Sequence, residues 1–303
     1  MVFRCPTSIF ALAAVTVATW NGEWFPSGRA EHRAAPEAEA RTIRRAGEML
    51  RRALASVDPA GTNDVVLCLN EIRDRHSAEE LAKAIGRDGL KIAMISAYRK
   101  RDRFDQQQDV IMTTLPVVTA SWSRWRSARD GAPPRGYVYA ELVMSPSVTS
   151  RVYAVHLKSN YGQTTQGEFE ANRAKRANAI AQIVEQERAK RGRFAAPVVI
   201  AGDFNTDAWK AEFKGEPTFS LLSDAGFSNV LALVPEDYRE TYPGKGRWRG
   251  SVLDYIFLRG VSSSGEPRVI GSQGLSDHNP VVAVLDLARP EGEAPPQPPS
   301  TGR

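Results

Sequence analysis

The residues best placed to do chemistry follow one short apolar run in the last third of the chain. Residues 198–201 are apolar, Gly202 ends the run, and Asp203 and Asn205 come directly after it. An apolar run of this length, bounded by proline and glycine, predicts a fully buried strand. Because residues two apart on a strand point to the same side, the carboxylate and the amide would face one common spot. An Asx-turn that simply closes a strand would show the same residues.

Five further places in the chain repeat this pattern, with polar side chains where an apolar run starts or stops. They are Asn21 with Glu23, Asn70 with Glu71, His156, Asp254, and Asp277 with His278. Each of these groups alone would be read as a solvated side chain or a loop residue, but together they indicate one site. Acidic groups without a cysteine–histidine cluster favour a hard cation such as Mg²⁺ or Mn²⁺.

Composition sets wide limits on the fold and the partner. The chain has 303 residues, 42% hydrophobic and 25% charged, which are ordinary values for one large α/β domain or two small ones. No interval of the sequence repeats, which excludes solenoids and propellers. A net charge of +5 and a pI near 9.3 suit a polyanionic partner. Cys5 and Cys68 do not decide the redox compartment, and we expect Cys68, inside the apolar run 65–69, to be a buried small hydrophobe.

The two ends of the chain differ from its middle. Residues 9–18 form an apolar run that is too short to span a bilayer, which takes ~20 residues. The run reads either as part of a signal peptide with a cleavage site at 11–13, or as the first strand; cleavage after Ala13 would leave that strand whole. We therefore expect a signal-like or disordered segment at 1–13, one domain at 14–287 and a disordered Pro-rich tail at 288–303. The compartment stays open between cytoplasmic and secreted.

Hydrophobic periodicity predicts more strands than helices. Helices are expected at residues 36–56, 78–85, 166–191 and 218–225. Strands are expected at 14–19, 65–69, 91–97, 109–112, 115–120, 137–144, 151–158, 198–201, 252–258 and 280–287. Ser77 followed by Glu80 is a capping-box pattern, which predicts that the second helix starts near Ala78. Both parallel and antiparallel pairing are implied, so the predicted fold class is α/β, with two packed sheets flanked by helices.

Taken in chain order, the polar motifs resemble those of the endonuclease/exonuclease/phosphatase superfamily, which has the DNase I-like fold. The matching motifs are Thr19–Trp20–Asn21, Asn70–Glu71, His156–Leu157–Lys158–Ser159, Gly202–Asp203–Phe204–Asn205, Leu253–Asp254–Tyr255–Ile256 and Ser276–Asp277–His278–Asn279–Pro280. The resemblance covers residues 14–287, which would form the catalytic domain. It implies a four-layer α/β/β/α sandwich of two mixed sheets, with the active site at one edge of the sheets.

The activity implied by this resemblance is divalent-metal-dependent hydrolysis of a phosphate ester. Glu71 would be the principal ligand of Mg²⁺ or Mn²⁺, with Asn21, Glu23 and Asp277 around it. A metal in this position polarises the phosphoryl group and the leaving oxygen.

The resemblance also assigns roles to the remaining motif residues. Asp203 would orient or activate the attacking water, and Asn205 would steady the phosphate. Asp254 would orient His278, which would stabilise charge on the phosphoryl oxygens. His156 would hydrogen-bond the phosphate or protonate the leaving group.

Three positions depart from the usual pattern of the superfamily. Asn70 stands where members more often carry Gln, and Glu23 stands where some carry Asp. His156 occupies the position at which abasic-site endonucleases have a tyrosine. This last difference favours the DNase, sphingomyelinase and unspecialised phosphohydrolase branches.

Charge placement favours a nucleic acid as the substrate. Basic clusters occur at 99–103, 122–129 and 242–249, and the last two interleave tryptophans with arginines in predicted loops. The candidate substrate-binding residues are Arg124, Arg126, Arg247 and Arg249. Aromatic faces such as those of Trp122 and Trp125 can stack on bases, and cations bind phosphates, as a nucleic-acid groove needs. The alternative is that arginines in long loops are only solvated and that a tryptophan there anchors the loop to the core.

The sequence thus predicts a nuclease that hydrolyses phosphodiester bonds in DNA or RNA. The alternatives are a phosphomonoesterase or a sphingomyelinase-like phospholipid phosphodiesterase, or a non-catalytic binding protein that keeps the fold. Retention of the whole residue set favours an enzyme. No stable protein partner and no transmembrane segment are implied, and we expect a monomer.

Overall fold

Two six-stranded mixed sheets pack face to face in the computed structural model, and helices cover their outer surfaces. The structure describes residues 14–28, 33–100, 103–127, 132–146, 148–190, 196–245 and 248–287. The predicted segments 1–13 and 288–303 lie outside these residues, as does Arg247. The predicted α/β/β/α sandwich is confirmed.

The strands come mostly in runs along the chain, with four α-helices between them. The strands are β1 (Val15–Phe25), β2 (Asp64–Ile72), β3 (Lys91–Ile95), β4 (Arg99–Lys100), β5 (Arg103–Phe104), β6 (Gln108–Thr113), β7 (Val117–Arg124), β8 (Gly136–Ser145), β9 (Val148–His156), β10 (Val198–Asp203), β11 (Ser228–Asn229), β12 (Tyr242–Lys245), β13 (Trp248–Ser251), β14 (Asp254–Arg259), β15 (Ser262–Val269) and β16 (Val281–Asp286). The α-helices are α1 (Pro36–Ala55), α2 (Arg75–Ile85), α3 (Gln166–Lys190) and α4 (Pro217–Asp224).

The first sheet has the order β15-β16-β1-β2-β6-β3, and the second has the order β11-β14-β10-β9-β8-β7. The pairs β1–β2 and β9–β10 are parallel, and the other pairs within these sheets are antiparallel. Two short hairpins, β4–β5 and β12–β13, stand apart from both sheets. Mixed pairing agrees with the sequence prediction.

The alternation of side chains along β2 shows how the layers are held. Val66 and Cys68 join the cluster shared with the second sheet, whereas Leu67 and Leu69 join the cluster under α1 and α2. Successive side chains of a strand point to opposite faces, so an unbroken apolar run serves both layers. Cys68 is fully buried, as expected. The helices α3 and α4 cover the outer face of the second sheet.

Two local predictions were wrong. The helix α2 begins at Arg75 instead of Ala78, because Asp74 is its N-cap and accepts a 2.7 Å hydrogen bond from the backbone N–H of Ser77. The capping-box reading of Ser77 therefore does not hold. The strand predicted at 115–120 runs from Val117 to Arg124, because it pairs along its length with β8. Residues 122–124 thus lie on an edge strand instead of in a loop.

Candidate active site

Strand register brings three predicted catalytic residues into one row of the second sheet. The parallel pairing of β10 with β9 sets Asp203 opposite His156. The antiparallel pairing of β10 with β14 sets Asp203 opposite Asp254. Directly opposed residues share one face of a sheet, so the three side chains collect at one edge.

A glycine allows β10 to approach β9 at this edge. Gly202 has a φ of +146°, and a Cβ atom at this position would lie only 1.9 Å from the carbonyl oxygen of Val155. A side chain would therefore force the strands apart immediately before Asp203. In this motif, Gly202 is therefore required for steric reasons and Asp203 for chemical ones.

The first sheet delivers its polar residues in the same way. Parallel pairing of β1 with β2 sets Asn21 opposite Asn70. The amide nitrogen of Asn21 donates to Oδ2 of Asp203 at 3.0 Å and lies 3.4 Å from Oε1 of Glu71. The side-chain oxygen of Asn70 accepts a hydrogen bond from the backbone N–H of Asp203 at 3.0 Å. These contacts join the two sheets at the site.

The carboxylate of Glu71 is nearly buried and faces this junction. Its Oε2 atom accepts a hydrogen bond from the backbone N–H of Trp24 at 3.0 Å. Its Oε1 atom lies 3.7 Å from Nε2 of His156. The backbone of Glu71 has a φ of +59°, a conformation that costs free energy for a residue with a side chain. Glu23 and Asn205 also have positive φ values, so strained backbone is concentrated around the site.

His278 and Asp254 form a tight pair. The Nδ1 atom of His278 lies 2.7 Å from Oδ2 of Asp254, and both groups are buried. Burial alone lowers the pKa of His278, but the carboxylates of Asp254 and Asp203 raise it to about 10. The backbone N–H of Asp254 donates to the hydroxyl of Thr241, which fixes the start of β14. The imidazole is therefore held charged, with Nε2 free to face the site.

Asp203 lies between two imidazole rings. Its Oδ2 atom is 3.5 Å from Nε2 of His156 and 4.0 Å from Nε2 of His278. Burial raises the pKa of Asp203 to about 7, with His278 opposing this shift and Asp254 adding to it. The backbone N–H of Asn205 donates to its Oδ1 atom at 2.8 Å. This carboxylate can therefore accept a proton near neutral pH.

His156 has the opposite electrostatic character to His278. Burial lowers the pKa of His156 well below its usual value, and the positive charges of Arg135, His278 and Lys158 lower it further. Its Nδ1 atom is buried and has no hydrogen-bond partner among the described residues. The ring is therefore neutral at physiological pH. A neutral and a charged imidazole flank one carboxylate.

The predicted metal ligands lie around Glu71. The backbone N–H of Asp277 donates to Oε2 of Glu23 at 2.9 Å, and the backbone N–H of Glu23 donates to Oδ1 of Asn21 at 3.0 Å. Asn21 therefore presents its nitrogen to the carboxylates instead of its oxygen. Its role as a ligand stays a prediction, and its visible role is to position Asp203.

The donor set around Glu71 fits a hard divalent cation. Oε1 of Glu71 has no donor closer than 3.4 Å among the described residues, too long for a strong hydrogen bond, so a buried carboxylate oxygen is left to face another positive group. Asp203, Asp254 and His278 also have ligand atoms within 4.8 Å of one another. In that trio, His278 and Asp254 are already paired through Nδ1 and Oδ2, although Oδ1 of Asp254 is buried without a hydrogen-bond partner among the described residues. We favour Glu71 as a ligand, and the role of Asp277 stays a prediction.

The predicted substrate-binding arginines are spread over different surfaces. Arg124, on the edge strand β7, donates to the carbonyl oxygen of Arg99, and Arg126 pairs with Glu185 on α3. Arg249 is exposed on β13, within the hairpin whose Tyr242 ring lies 5.3 Å from the ring of His278. Arg249 is thus the one of these three that shares an element with a residue contacting the site. Arg247 lies outside the described residues.

Trp125, one of the two tryptophans of the basic cluster at 122–129, is buried. It is 5% exposed, and its ring lies 5.0 Å from that of Tyr137. It therefore holds the end of β7 against the core. This agrees with the alternative in which a loop tryptophan anchors the chain.

Several residues that shape the site were not singled out from the sequence. The amide of Asn70 donates to Oδ1 of Asp109 at 2.7 Å, and burial raises the pKa of Asp109 to about 7. Arg135 donates to the carbonyl oxygen of Leu157, one residue beyond His156. Thr241 holds the start of β14. The position of Asp109 at the start of a predicted strand was the one available signal.

Comparisons with known proteins agree with this geometry. The sequence profile of the Endonuclease/Exonuclease/phosphatase family matches residues 18–278. A search of curated proteins gave no match. Among the helices of the described residues, none has the length and apolar character needed to cross a membrane.

Solved structures with similar folds include proteins of several kinds. An endonuclease/exonuclease/phosphatase family protein from Leptotrichia buccalis is 15% identical, with a TM-score of 0.59, covering 90% of this chain and 100% of its own. Truncated TDP2 from Caenorhabditis elegans is 14% identical, with a TM-score of 0.57 and coverages of 90% and 98%. Sphingomyelinase C from Streptomyces griseocarneus is 20% identical, with a TM-score of 0.55 and coverages of 89% and 99%. At these identities the likeness concerns the fold alone.

Proposed function

Because the chain belongs to the endonuclease/exonuclease/phosphatase family, whose members are hydrolases acting on phosphodiester bonds, we propose that it hydrolyses phosphodiesters with a divalent cation. The observation that carries this proposal is the buried carboxylate of Asp203 between the rings of His156 and His278. A base of near-neutral pKa beside one charged and one neutral donor suits attack by water on a phosphate.

The metal site of this proposal consists of Glu71 and Asp277, with Glu23 supporting Asp277. A bound Mg²⁺ or Mn²⁺ would supply Lewis-acid polarisation of the phosphoryl oxygens and of the leaving oxygen. Glu71 is held by the backbone N–H of Trp24, and Asp277 by its own backbone N–H to Glu23. The first contact holds the carboxylate of Glu71, and the second holds the backbone that carries Asp277.

Asp203 is the general base of the proposed reaction. Asn21 and the backbone of Asn205 each donate to one of its oxygens, and Asn70 fixes its backbone. These contacts hold the carboxylate in one orientation, from which it can take a proton from an attacking water. We assign Asn205 a second role in steadying the phosphate, since its amide lies in the same turn.

The two histidines act as donors to the phosphate. His278, kept charged by Asp254, stabilises negative charge that develops on a phosphoryl oxygen. His156 is neutral and offers its Nε2 atom toward the same spot, where its N–H can hydrogen-bond the phosphate. A neutral imidazole is too weak an acid to protonate the leaving group, so of the two roles expected for His156 we propose the hydrogen bond. One ring thus supplies charge, and the other a neutral donor.

We propose a polynucleotide, DNA or RNA, as the substrate. The net charge of +5 and the exposed Arg249, which lies in the same hairpin as Tyr242, support it. The second candidate is a sphingomyelinase-like phospholipid phosphodiesterase, which the fold likeness to sphingomyelinase C favours. A phosphomonoesterase would use the same chemistry. A non-catalytic binding protein is disfavoured, because binding alone does not need a carboxylate that is flanked by one charged and one neutral histidine.

A substrate panel tests this proposal. Plasmid DNA, single-stranded DNA, RNA, sphingomyelin and inositol phosphates would each be incubated with the protein in Mg²⁺ or Mn²⁺, and in EDTA. We expect cleavage of at least one polynucleotide in metal and none in EDTA. Cleavage of sphingomyelin alone would move the assignment to the second candidate. Absence of hydrolysis of all five substrates would overturn the proposed activity.

A further inference from the structure

A short segment leaves the site directly after His156 and crosses the N-terminal half of α3. Arg176 donates to the carbonyl oxygen of Lys158 at 2.8 Å, and Asn172 donates to that of Ser159 at 3.1 Å. The amide of Asn205 donates to the carbonyl oxygen of Leu157. The segment is therefore fixed by its backbone both to α3 and to the turn that carries the catalytic aspartate.

The side chain of Lys158 is a cation without an anionic partner among the described residues. Lys158 is half-buried, and within the described part of the chain its Nζ atom donates only to the carbonyl oxygen of Ser159. Neither Lys158 nor its electrostatic neighbours Arg135 and Lys175 forms an ion pair with any described residue. Burial lowers the pKa of the Lys158 ammonium, and the positive charges of Arg135, Lys175 and Arg176 lower it further.

The most deeply buried arginines in the described part of the chain are each paired with a carboxylate. Arg73 pairs with Glu39, Arg176 with Glu216, and Arg151 with Glu187. A buried or half-buried charge normally has such a partner, because desolvation is costly without one. The charge of Arg135 acts on the buried carboxylate of Asp109, whereas no acidic group among the described residues acts on Lys158. A cation left in this way beside an active site indicates that an anion from outside the protein completes it.

Lys158, Lys175 and Arg135 form what we call the cation cluster. Its position indicates the nature of the anion that it binds. Lys158 follows His156 by two residues, and Arg135 donates to the intervening Leu157. The cluster thus flanks the site on the side of His156. Tyr161, three residues beyond Lys158, is 72% exposed, and its backbone N–H donates to the hydroxyl of Ser159, the residue next to Lys158. A phosphate next to an aromatic ring is the recurring unit of a polynucleotide, whereas a sphingomyelin headgroup has one phosphate and no ring.

We propose that Lys158 and Lys175, with Arg135 behind them, bind a second phosphate of a polynucleotide substrate, adjacent to the phosphodiester that is cleaved. The location of the cleaved bond rests on the proposed function. The second phosphate lies on the His156 side, and Tyr161 is available to the base between the two phosphates. This subsite selects polymeric substrates over small phosphodiesters, which have no second phosphate.

Binding in the absence of metal tests the subsite without relying on activity. A fluorescent single-stranded oligonucleotide would be titrated in EDTA at several salt concentrations against wild-type protein, Lys158→Gln, Lys175→Gln and the double variant. We expect the double variant to raise Kd about tenfold and to lower the slope of log Kd against log salt by about 0.7 to 1, as expected for the loss of one phosphate contact.

Two further variants control for charge and for folding. Lys91→Gln neutralises an exposed lysine at the far end of β3 and should leave both Kd and the salt slope unchanged. Lys158→Arg keeps the charge and should retain most of the affinity. An unchanged Kd and slope in the folded double variant, or no binding of the oligonucleotide by the wild type, would overturn the subsite.

Hydrolysis of bis(p-nitrophenyl) phosphate by the wild type in Mg²⁺ or Mn²⁺ separates this inference from the proposed function. Binding that depends on the two lysines, with no hydrolysis of any diester, would keep the subsite and overturn the activity. Hydrolysis together with oligonucleotide binding that does not depend on the two lysines would keep the activity and overturn the subsite.

Discussion

The side-chain oxygen of Asn70 accepts a hydrogen bond from the backbone N–H of Asp203 at 3.0 Å, across the interface of the two sheets. The two residues are 133 positions apart in the chain. The other end of the Asn70 amide donates to the buried carboxylate of Asp109. One amide thus fixes the proposed base to the opposite sheet.

Replacing this amide should damage both stability and activity. In Asn70→Ala the buried N–H of Asp203 loses its acceptor, so we expect the free energy of unfolding to fall by about 1–3 kcal/mol and kcat to fall as well. Asn63→Ala removes a 3.0 Å side-chain hydrogen bond to Thr16 at the other end of the same strands and should lower stability alone. Urea denaturation and steady-state kinetics measure both effects. A fully active Asn70→Ala protein would show that Asp203 needs no such support.

The His278–Asp254 pair is expected to be essential for the chemical step. His278→Ala and Asp254→Asn should each lower kcat by at least ~10², the scale for losing a preorganised charge-stabilising group. His76→Ala, at an exposed position on α2, is the matched control and should have wild-type kinetics. Circular dichroism would verify the fold. A folded His278→Ala protein of near wild-type activity would mean that the site is misassigned.

The pKa values of His278 and His156 should lie on opposite sides of the ordinary histidine value. In metal-free protein labelled at histidine, NMR should show His278 still protonated at pH 9, since Asp254 and Asp203 raise its pKa to about 10. His156 should remain neutral down to mildly acidic pH, because burial and nearby positive charges lower its pKa. In Asp254→Asn the His278 pKa should fall, since one of the carboxylates that raise it becomes neutral. Ordinary titration of both rings near pH 6.5 would contradict the electrostatic description of the site.

Activity should need a hard divalent cation. EDTA should abolish hydrolysis, and excess Mg²⁺ or Mn²⁺ should restore it. Glu71→Gln should lower the activity and raise the metal concentration that gives half-maximal rate, because a neutral amide is a poorer ligand than a carboxylate. Glu79→Gln, on the exposed side of α2, should change neither quantity. Full turnover in chelator would exclude this mechanism.

An ion pair next to the site should make the free energy of unfolding depend on pH in the acidic range. Arg73, two residues after Glu71, donates to both carboxylate oxygens of Glu39 on α1. These hydrogen bonds, opposed by burial, lower the pKa of Glu39 from 4.5 to about 2. The pair therefore contributes stability above pH 4.5 that is lost as the pH falls toward 2.

Glu39→Gln should accordingly be less stable than wild type at pH 7, and this difference should shrink as the pH falls from 4.5 to 2. Denaturant unfolding at a series of pH values measures it. Glu80→Gln, which removes an exposed partner of Lys83, should show little difference at any pH. A pH-independent difference for Glu39→Gln would show that the carboxylate is not paired in solution.

The sequence by itself determined the composition of the site and most of the elements that hold it. An apolar run such as residues 198–201 can form a strand that is buried on both faces, and the composition of the run that favours this is a local property of the sequence. The polar residues that follow these runs must then lie at strand ends, so Asp203, Asn205 and Glu71 could be found without a structure. At Gly202 the sequence predicts only the end of the apolar run, and the close approach to Val155 that requires a residue without Cβ is a property of the tertiary structure.

Only the tertiary structure decided which groups touch and what charge each one carries. Asn21 turns its nitrogen to Asp203, Trp125 is buried, and Arg126 pairs with Glu185, because these contacts depend on residues far apart in the chain. The same holds for protonation. His156 and His278 are chemically identical in sequence, yet burial among cations keeps the first neutral while Asp254 keeps the second charged. A pKa depends on the distance to charges in space, and strand spacing alone does not contain that distance.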